Sequence, residues 1–471
     1  MNKKVYLFAA VAALFAACSN NDGAESAEKA QAQQNAQQIA VAFDTYTQRG
    51  VTRAGYAGEM TTSTGTYNLQ TEGFGVFAYY TNNTSYDDTS IPNFMYNQKV
   101  STASWTYEPV KYWPNEYGTT AVADETDKLT FFAYAPYVKV TPSTGKVVVE
   151  APATSEIQTW GITGLTKNTA AGDPLVKYIV NFDALKSVDL CWGTVANDAS
   201  YTSWAKVNGG TQSLTAGKPW LDVERPADAT GDDQKVKFDF KHATSKLNVQ
   251  IAYYADKQTN TETEEIDADK TKIYVRSITF KGIATKGALN LNNTDAGKAL
   301  WMSYNGNDDL ESGESVTIYD GRKDGKEGVS GATATNEKIT GLNSQIIQGD
   351  AATSGVTKTL QNLFTGAEAS TPIYVIPTGE TVEVEIVYDV ETIDDNLSGY
   401  LSDGKTHGST IENRIKKAIT FGSSDTTFEN GKAYTLKLYL GMNSVKFDAE
   451  VTAWPTTADE GSGDLPANKN S

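Results

Sequence analysis

Strict alternation of apolar and polar side chains is the pattern that most limits what this chain can become. In Val445-Lys-Phe-Asp-Ala-Glu-Val451, Val445, Phe447, Ala449 and Val451 fall on one face, and Lys446, Asp448 and Glu450 on the other. A two-residue period sends successive side chains to opposite sides of a strand, whereas a helix would scatter them around its axis. The same period runs through Ile39, Val41, Phe43 and Thr45, and again through Val382, Val384, Ile386 and Tyr388. Clean alternation marks antiparallel sheet with one wet face. With 25 tyrosines and 39 glycines among 471 residues, the composition agrees with strands joined by turns. The expected fold class is therefore all-β, with two antiparallel β-sandwich domains in tandem. The charged stretch Asp222 to Gln234 carries almost nothing to bury and marks the boundary, giving an N-terminal sandwich over 54–222 and a C-terminal one over 235–471. Short helices are expected only at insertions such as Thr357 to Phe364.

The N-terminus carries an export signal. Lys3 and Lys4 precede Val5 to Ala17, a run apolar apart from Tyr6, and shorter than the ~20 residues a spanning helix needs. Phe15-Ala16-Ala17-Cys18 ends that run and resembles a bacterial lipobox, with Phe15 where leucine usually stands. This makes 1–17 a lipoprotein signal peptide and Cys18 the lipidation site. The stretch from Ala24 to Gln38, rich in Ala, Gln and Glu, reads as a tether. Gln38 to Thr47 then alternates as a strand, and Arg49 and Arg53 follow in a Gly- and Thr-containing segment expected to be exposed.

The chemistry of enzymes is missing from the sequence. No P-loop, nucleophile elbow, zinc-protease motif or dinucleotide fingerprint occurs, so the chain reads as a non-enzyme with no cofactor. His242 reads as a structural hydrogen-bonding residue, and Cys191, between Leu190 and Trp192, as a small buried apolar one. His242 and His407 match no zinc-ligand spacing with Cys191, so no metal site is expected. A formal net charge of −18 repels phosphate backbones and excludes nucleic acid as a partner. The aromatics Trp105, Tyr107, Tyr112, Trp113 and Tyr117 read as strand packing rather than a sugar-stacking platform.

Several segments then stand in a telling order. FGVFAYY (Phe74 to Tyr80), FMYNQKV (Phe94 to Val100), WTYEPVKYWP (Trp105 to Pro114) and LTFFAYAP (Leu129 to Pro136) come first. DPLVKYIVNFDALKSVDLCWG (Asp173 to Gly193), VKFDFKHATSKLNVQI (Val236 to Ile251) and LYLGMNSVKFDAEVTAW (Leu438 to Trp454) follow. The ordered set resembles the fimbrillins, Mfa-like subunits of type V pili. That resemblance implies transthyretin-like sandwiches and a palmitate-bearing lipoprotein precursor held at the cell outer membrane. It also implies an arginine-specific protease that removes residues 18–53 as a propeptide. Arg53 is favoured for the cut because Ala54-Gly55 follows it, with Arg49 the alternative. The vacated groove would accept a donor strand from another fimbrial subunit, and Val445 to Trp454 is the better donor candidate than the polar tail from Pro455. The alternative is a tip adhesin or surface lipoprotein that binds a host glycan or protein receptor without polymerising, through loops such as Gly118 to Lys128 or Asp308 to Lys338.

Overall fold

A computed structural model describes residues 39–45, 68–114, 127–148, 160–182, 186–196, 203–206, 209–227, 234–253, 270–294, 298–311, 313–320, 361–363, 372–401, 404–421, 424–440 and 445–453. Strands dominate these segments, and the fold is all-β. Among the described residues the one helix is the single turn Leu69–Glu72, whose first amides bond the Asn68 side chain.

The first sheet runs in the order Phe43–Thr45, Val236–His242, Cys191–Val195, Lys128–Ala135, Phe74–Tyr80 and Met95–Val100, with Trp220–Glu224 also paired to Lys128–Ala135. Both of its faces are covered. Phe74, Val76, Ala78, Phe131, Ala133, Phe238 and Phe240 pack on one side, in a core that also takes Trp105, Trp113 and Trp220. Phe77, Tyr79, Phe132, Tyr134 and Trp192 point to the other. There they meet Ile162, Leu165, Val176, Tyr178 and Leu289 of a second sheet, ordered Leu300–Met302, Lys286–Asn290, Leu175–Ile179, Gly161–Leu165, Lys146–Val147 and Val140–Thr141. Burial on two faces explains why the Phe74–Tyr80 and Lys128–Ala135 strands read as continuous apolar runs instead of alternating.

Two further sheets use the C-terminal half. One is ordered Ile283–Ala284, Ile373–Pro377, Ser245–Tyr253, Lys432–Leu440 and Val445–Ala453. The other is ordered Val316–Asp320, Thr271–Lys281, Glu383–Ile393 and Gly408–Ala418. Leu247, Val249, Leu436 and Leu438 of the former share a core with Ile273, Ile278, Ile386 and Tyr388 of the latter, and that core is continuous with the one behind Phe77. A bulge at Arg276 breaks the pairing register between Val275 and Ser277. Such an extra residue re-aims a side chain, and here the guanidinium turns inward to a buried ion pair with Asp389.

Two sequence expectations need correction. Val236–His242, expected to open the C-terminal domain, pairs with Cys191–Val195 inside the first sheet, and Lys286–Asn290 joins the second through Leu175–Ile179. The stretch Asp222 to Gln234 thus joins two strands of one sheet and begins inside the first of them, where Val223 and Arg225 are buried, so its charged composition does not report solvent exposure. In place of a helix, the described part of Thr357 to Phe364 contains a two-residue strand, Gln361–Asn362, paired with Gln250 and Ile251.

Candidate functional site

The segment Ile39 to Thr45 lies in a groove at the edge of the first sheet. Its alternation works as the sequence suggests: Ile39, Val41, Phe43 and Thr45 are buried, while Ala40, Ala42 and Asp44 are half-buried. Phe43–Thr45 pairs parallel to Val236–Phe238, and the Val236 amide donates to the Ala42 carbonyl at 2.9 Å. On the opposite edge the Val41 amide donates to the Lys111 carbonyl at 2.9 Å, and the Trp113 amide to the Ile39 carbonyl at 2.9 Å. The Tyr107 hydroxyl donates to the Val41 carbonyl at 2.7 Å, and burial pushes that phenol up to about 12. The groove floor is aromatic: the Phe43 ring centroid lies 5.3 Å from Tyr107, 5.9 Å from Phe131, 6.1 Å from Phe238 and 6.5 Å from Phe74. Without this segment, a line of backbone donors and acceptors and four aromatic rings would face water.

Cys18, Arg49 and Arg53 lie outside the described residues. Trp105, Tyr107 and Trp113 are buried, as strand packing requires, and only Tyr112 of the described aromatics in that run is exposed. Val445–Ala453 pairs along nine positions with Lys432–Leu440 and ends its sheet, so its other edge has no strand beside it among the described residues.

A separate concavity of about 480 Å³ opens beside the second sheet. Lys146, Lys167 and Lys177 line it with Thr144, Thr163, Thr166 and Tyr304. The Lys177 and Lys286 ammonium groups sit 5.2 and 5.9 Å from the Tyr304 ring centre, and Thr163 and Tyr304 share a hydroxyl hydrogen bond of 2.8 Å. No acidic side chain is among its lining residues.

The structure also unites residues that sequence spacing kept apart. Cys191 and His242 are directly opposed across neighbouring strands, and Asp189 lies two residues before Cys191. His242 Nδ1 is 2.7 Å from Asp189 Oδ2, and Cys191 Sγ is 3.5 Å from each of those atoms. Asp189 Oδ1 accepts a hydrogen bond of 3.1 Å from Thr244 Oγ1. All four residues are buried. His407 is elsewhere, at the Leu397 carbonyl.

No family model matches the chain. A stretch of 84 residues is 40% identical to the fimbrium subunit Fim1C of Phocaeicola vulgatus. This chain resembles fimbrial subunits. The matched stretch covers 17% of the chain and 19% of that relative, about a fifth of its length. A fimbrial protein from Bacteroides vulgatus is 21% identical over 88% of this chain and 99% of its own, with a TM-score of 0.49. The fimbrial anchor protein Mfa2 of Porphyromonas gingivalis is 9% identical over 88% of this chain and 98% of its own, at a TM-score of 0.28. The tip fimbrial protein Mfa3 of the same organism is 9% identical over 88% of this chain and 100% of its own, at 0.25.

Proposed function

We propose that this chain is a fimbrillin, a structural subunit of a surface fimbria that polymerises by exchanging one strand for another. The observation that carries this reading is the seat of Ile39, Val41 and Phe43. They fill an aromatic groove through alternate side chains and bond backbone on both edges, yet belong to a segment that arginines follow in sequence. Cleavage after Arg53, or after Arg49, would cut that segment from the body of the protein. The lipid on Cys18 would leave with it, so the lipid is a temporary tether at the outer membrane. A donor strand must reproduce the alternation of Ile39, Val41 and Phe43, and Val445, Phe447, Ala449 and Val451 do so in sequence.

The test is limited digestion of the purified full chain with an arginine-specific protease. Release of the fragment and formation of detergent-resistant oligomers are expected. A fully cut protein that stays monomeric with an emptied groove would sink the polymerising role.

One observation favours adhesion as a second activity. In a chain of net charge −18, the gathering of Lys146, Lys167 and Lys177 around Tyr304 with no carboxylate among them suits an acidic glycan receptor. Binding of sulfated or uronic-acid oligosaccharides that survives Lys177→Ala and Lys167→Ala together would remove this concavity as the receptor site.

A further inference from the structure

We propose that Asp189, Cys191 and His242 form a binding site for one divalent metal ion of the zinc class. The donor set is one sulfur, one imidazole nitrogen and one carboxylate oxygen, which suits a borderline ion and not calcium or magnesium.

The geometry is close to what such an ion needs. Zinc bonds of about 2.3 Å to sulfur and about 2.0–2.1 Å to nitrogen and oxygen give tetrahedral edges of about 3.5 Å from sulfur and about 3.3 Å between nitrogen and oxygen. The two edges from Cys191 Sγ are 3.5 Å each. The third, His242 Nδ1 to Asp189 Oδ2, is 2.7 Å and must open by about 0.6 Å, within reach of small side-chain rotations. Binding needs the Cys191 thiol deprotonated and the lone pair of His242 Nδ1 free, with the ring proton on Nε2. A dication, a thiolate, a carboxylate and a neutral imidazole then sum to zero charge, as a buried site demands.

The frame is already built. Cys191 and His242 are register partners, and Cys191 also pairs with Ala135, so both ligand backbones sit inside the first sheet. The Ala243 amide donates to the Leu190 carbonyl at 2.7 Å and the Gly431 amide to the Thr244 carbonyl at 2.9 Å, locking the flanking residues. Thr244 Oγ1 donates to Asp189 Oδ1, the kind of outer contact that orients a ligating carboxylate. Three protein donors leave one coordination position, as in other three-ligand zinc sites. Because the ligands are buried, the ion enters as the chain folds.

The experiment refolds the full chain from denaturant, after treatment with a chelator, with either no metal or one equivalent of Co²⁺ or Zn²⁺. We expect one cobalt per chain, tetrahedral ligand-field bands, the charge-transfer absorbance of a thiolate–cobalt bond, and a melting temperature several degrees above that of the metal-free protein. Cys191→Ala and Cys191→Ser keep Cys18, so any signal from Cys18 stays in both proteins. Each variant is expected to fold by near-ultraviolet circular dichroism, to lose the charge-transfer band, and to bind cobalt more than about 100-fold more weakly. Folded wild-type protein with no cobalt band and the same melting temperature with and without metal would overturn the proposal, leaving a hydrogen-bonded triad. Equal cobalt spectra in wild type and Cys191→Ala would overturn it equally.

Discussion

Trimming Phe43 to Ala perturbs the groove at the residue that fills most of it. Large opposing forces act on the segment. Burying Ile39, Val41 and Phe43 contributes about 1.5–3 kcal/mol each, and the four hydrogen bonds to Ile39, Val41 and Ala42 about 0.5–1.5 kcal/mol each. Against this, fixing the backbone of residues 39–45 costs about 1–2 kcal/mol per residue. Before the ladder bonds of Phe43–Thr45 to Val236–Phe238 are added, the totals are about 7–15 kcal/mol gained and about 7–14 kcal/mol lost. On the proposed reading, covalent connection to the rest of the chain adds an effective concentration that a cut abolishes.

Phe43→Ala then removes about 3–5 kcal/mol, including edge contacts to Tyr107 and Phe131. At ~1.4 kcal/mol per decade this weakens retention by about a hundred- to several-thousand-fold, mostly through faster release. The assay cuts the full chain with an arginine-specific protease and follows departure of an N-terminally labelled fragment by fluorescence anisotropy. Asp44→Asn is the control, since Asp44 is half-buried and, among the described residues, its carboxylate bonds only the next amide, at 2.8 Å. Equal release rates for Phe43→Ala and Asp44→Asn would refute the idea that side-chain burial in the groove holds the strand.

Other residues give shorter tests. The folded chain keeps the Tyr107 phenol protonated to about pH 12, whereas an exposed tyrosine loses its proton near pH 10; stability conferred by this group is whole below pH ~10 and is lost as pH rises towards 12. Tyr107→Phe should abolish that alkaline step in fragment release and cost about 1 kcal/mol at neutral pH, read from denaturant midpoints. Asp389→Ala deprives the buried Arg276 guanidinium of its carboxylate and should destabilise the C-terminal sheets by about 3–5 kcal/mol, measured by urea unfolding. Gly75→Ala places a Cβ 2.3 Å from Tyr134 Cε1 and 2.7 Å from Asn97 Oδ1, so the Tyr134–Asn97 hydrogen bond must move; about 1–3 kcal/mol of lost stability and a lower melting temperature are expected.

What the sequence revealed and what it concealed divide along a physical line. Alternation is a property of one strand, so the groove-filling face of Ile39, Val41 and Phe43 and the wet face carrying Glu383 and Glu385 were both legible. Pairing joins segments far apart, and local pattern says nothing of it. Cys191 and His242 are 51 positions apart and meet only because their strands are antiparallel neighbours, which is why ligand-spacing rules passed over them. The same reasoning explains the displaced boundary. Trp220–Glu224 pairs with Lys128–Ala135, and Val236–His242 with Cys191–Val195, so the strands on both sides of the charged stretch belong to the first sheet. The first crossing to the C-terminal sheets runs from His242 to Ser245, through Ala243 and Thr244. Both are fully buried, and neither resembles a linker in composition. A passage this short and this buried makes Val236–His242 common to three features: it flanks the Ile39–Thr45 segment, carries one ligand of the proposed metal site, and leads directly into the next sheet. Substitutions that unsettle this strand should therefore disturb the groove and the C-terminal sheets together, whereas those confined to Ile39, Val41 or Phe43 should spare the latter.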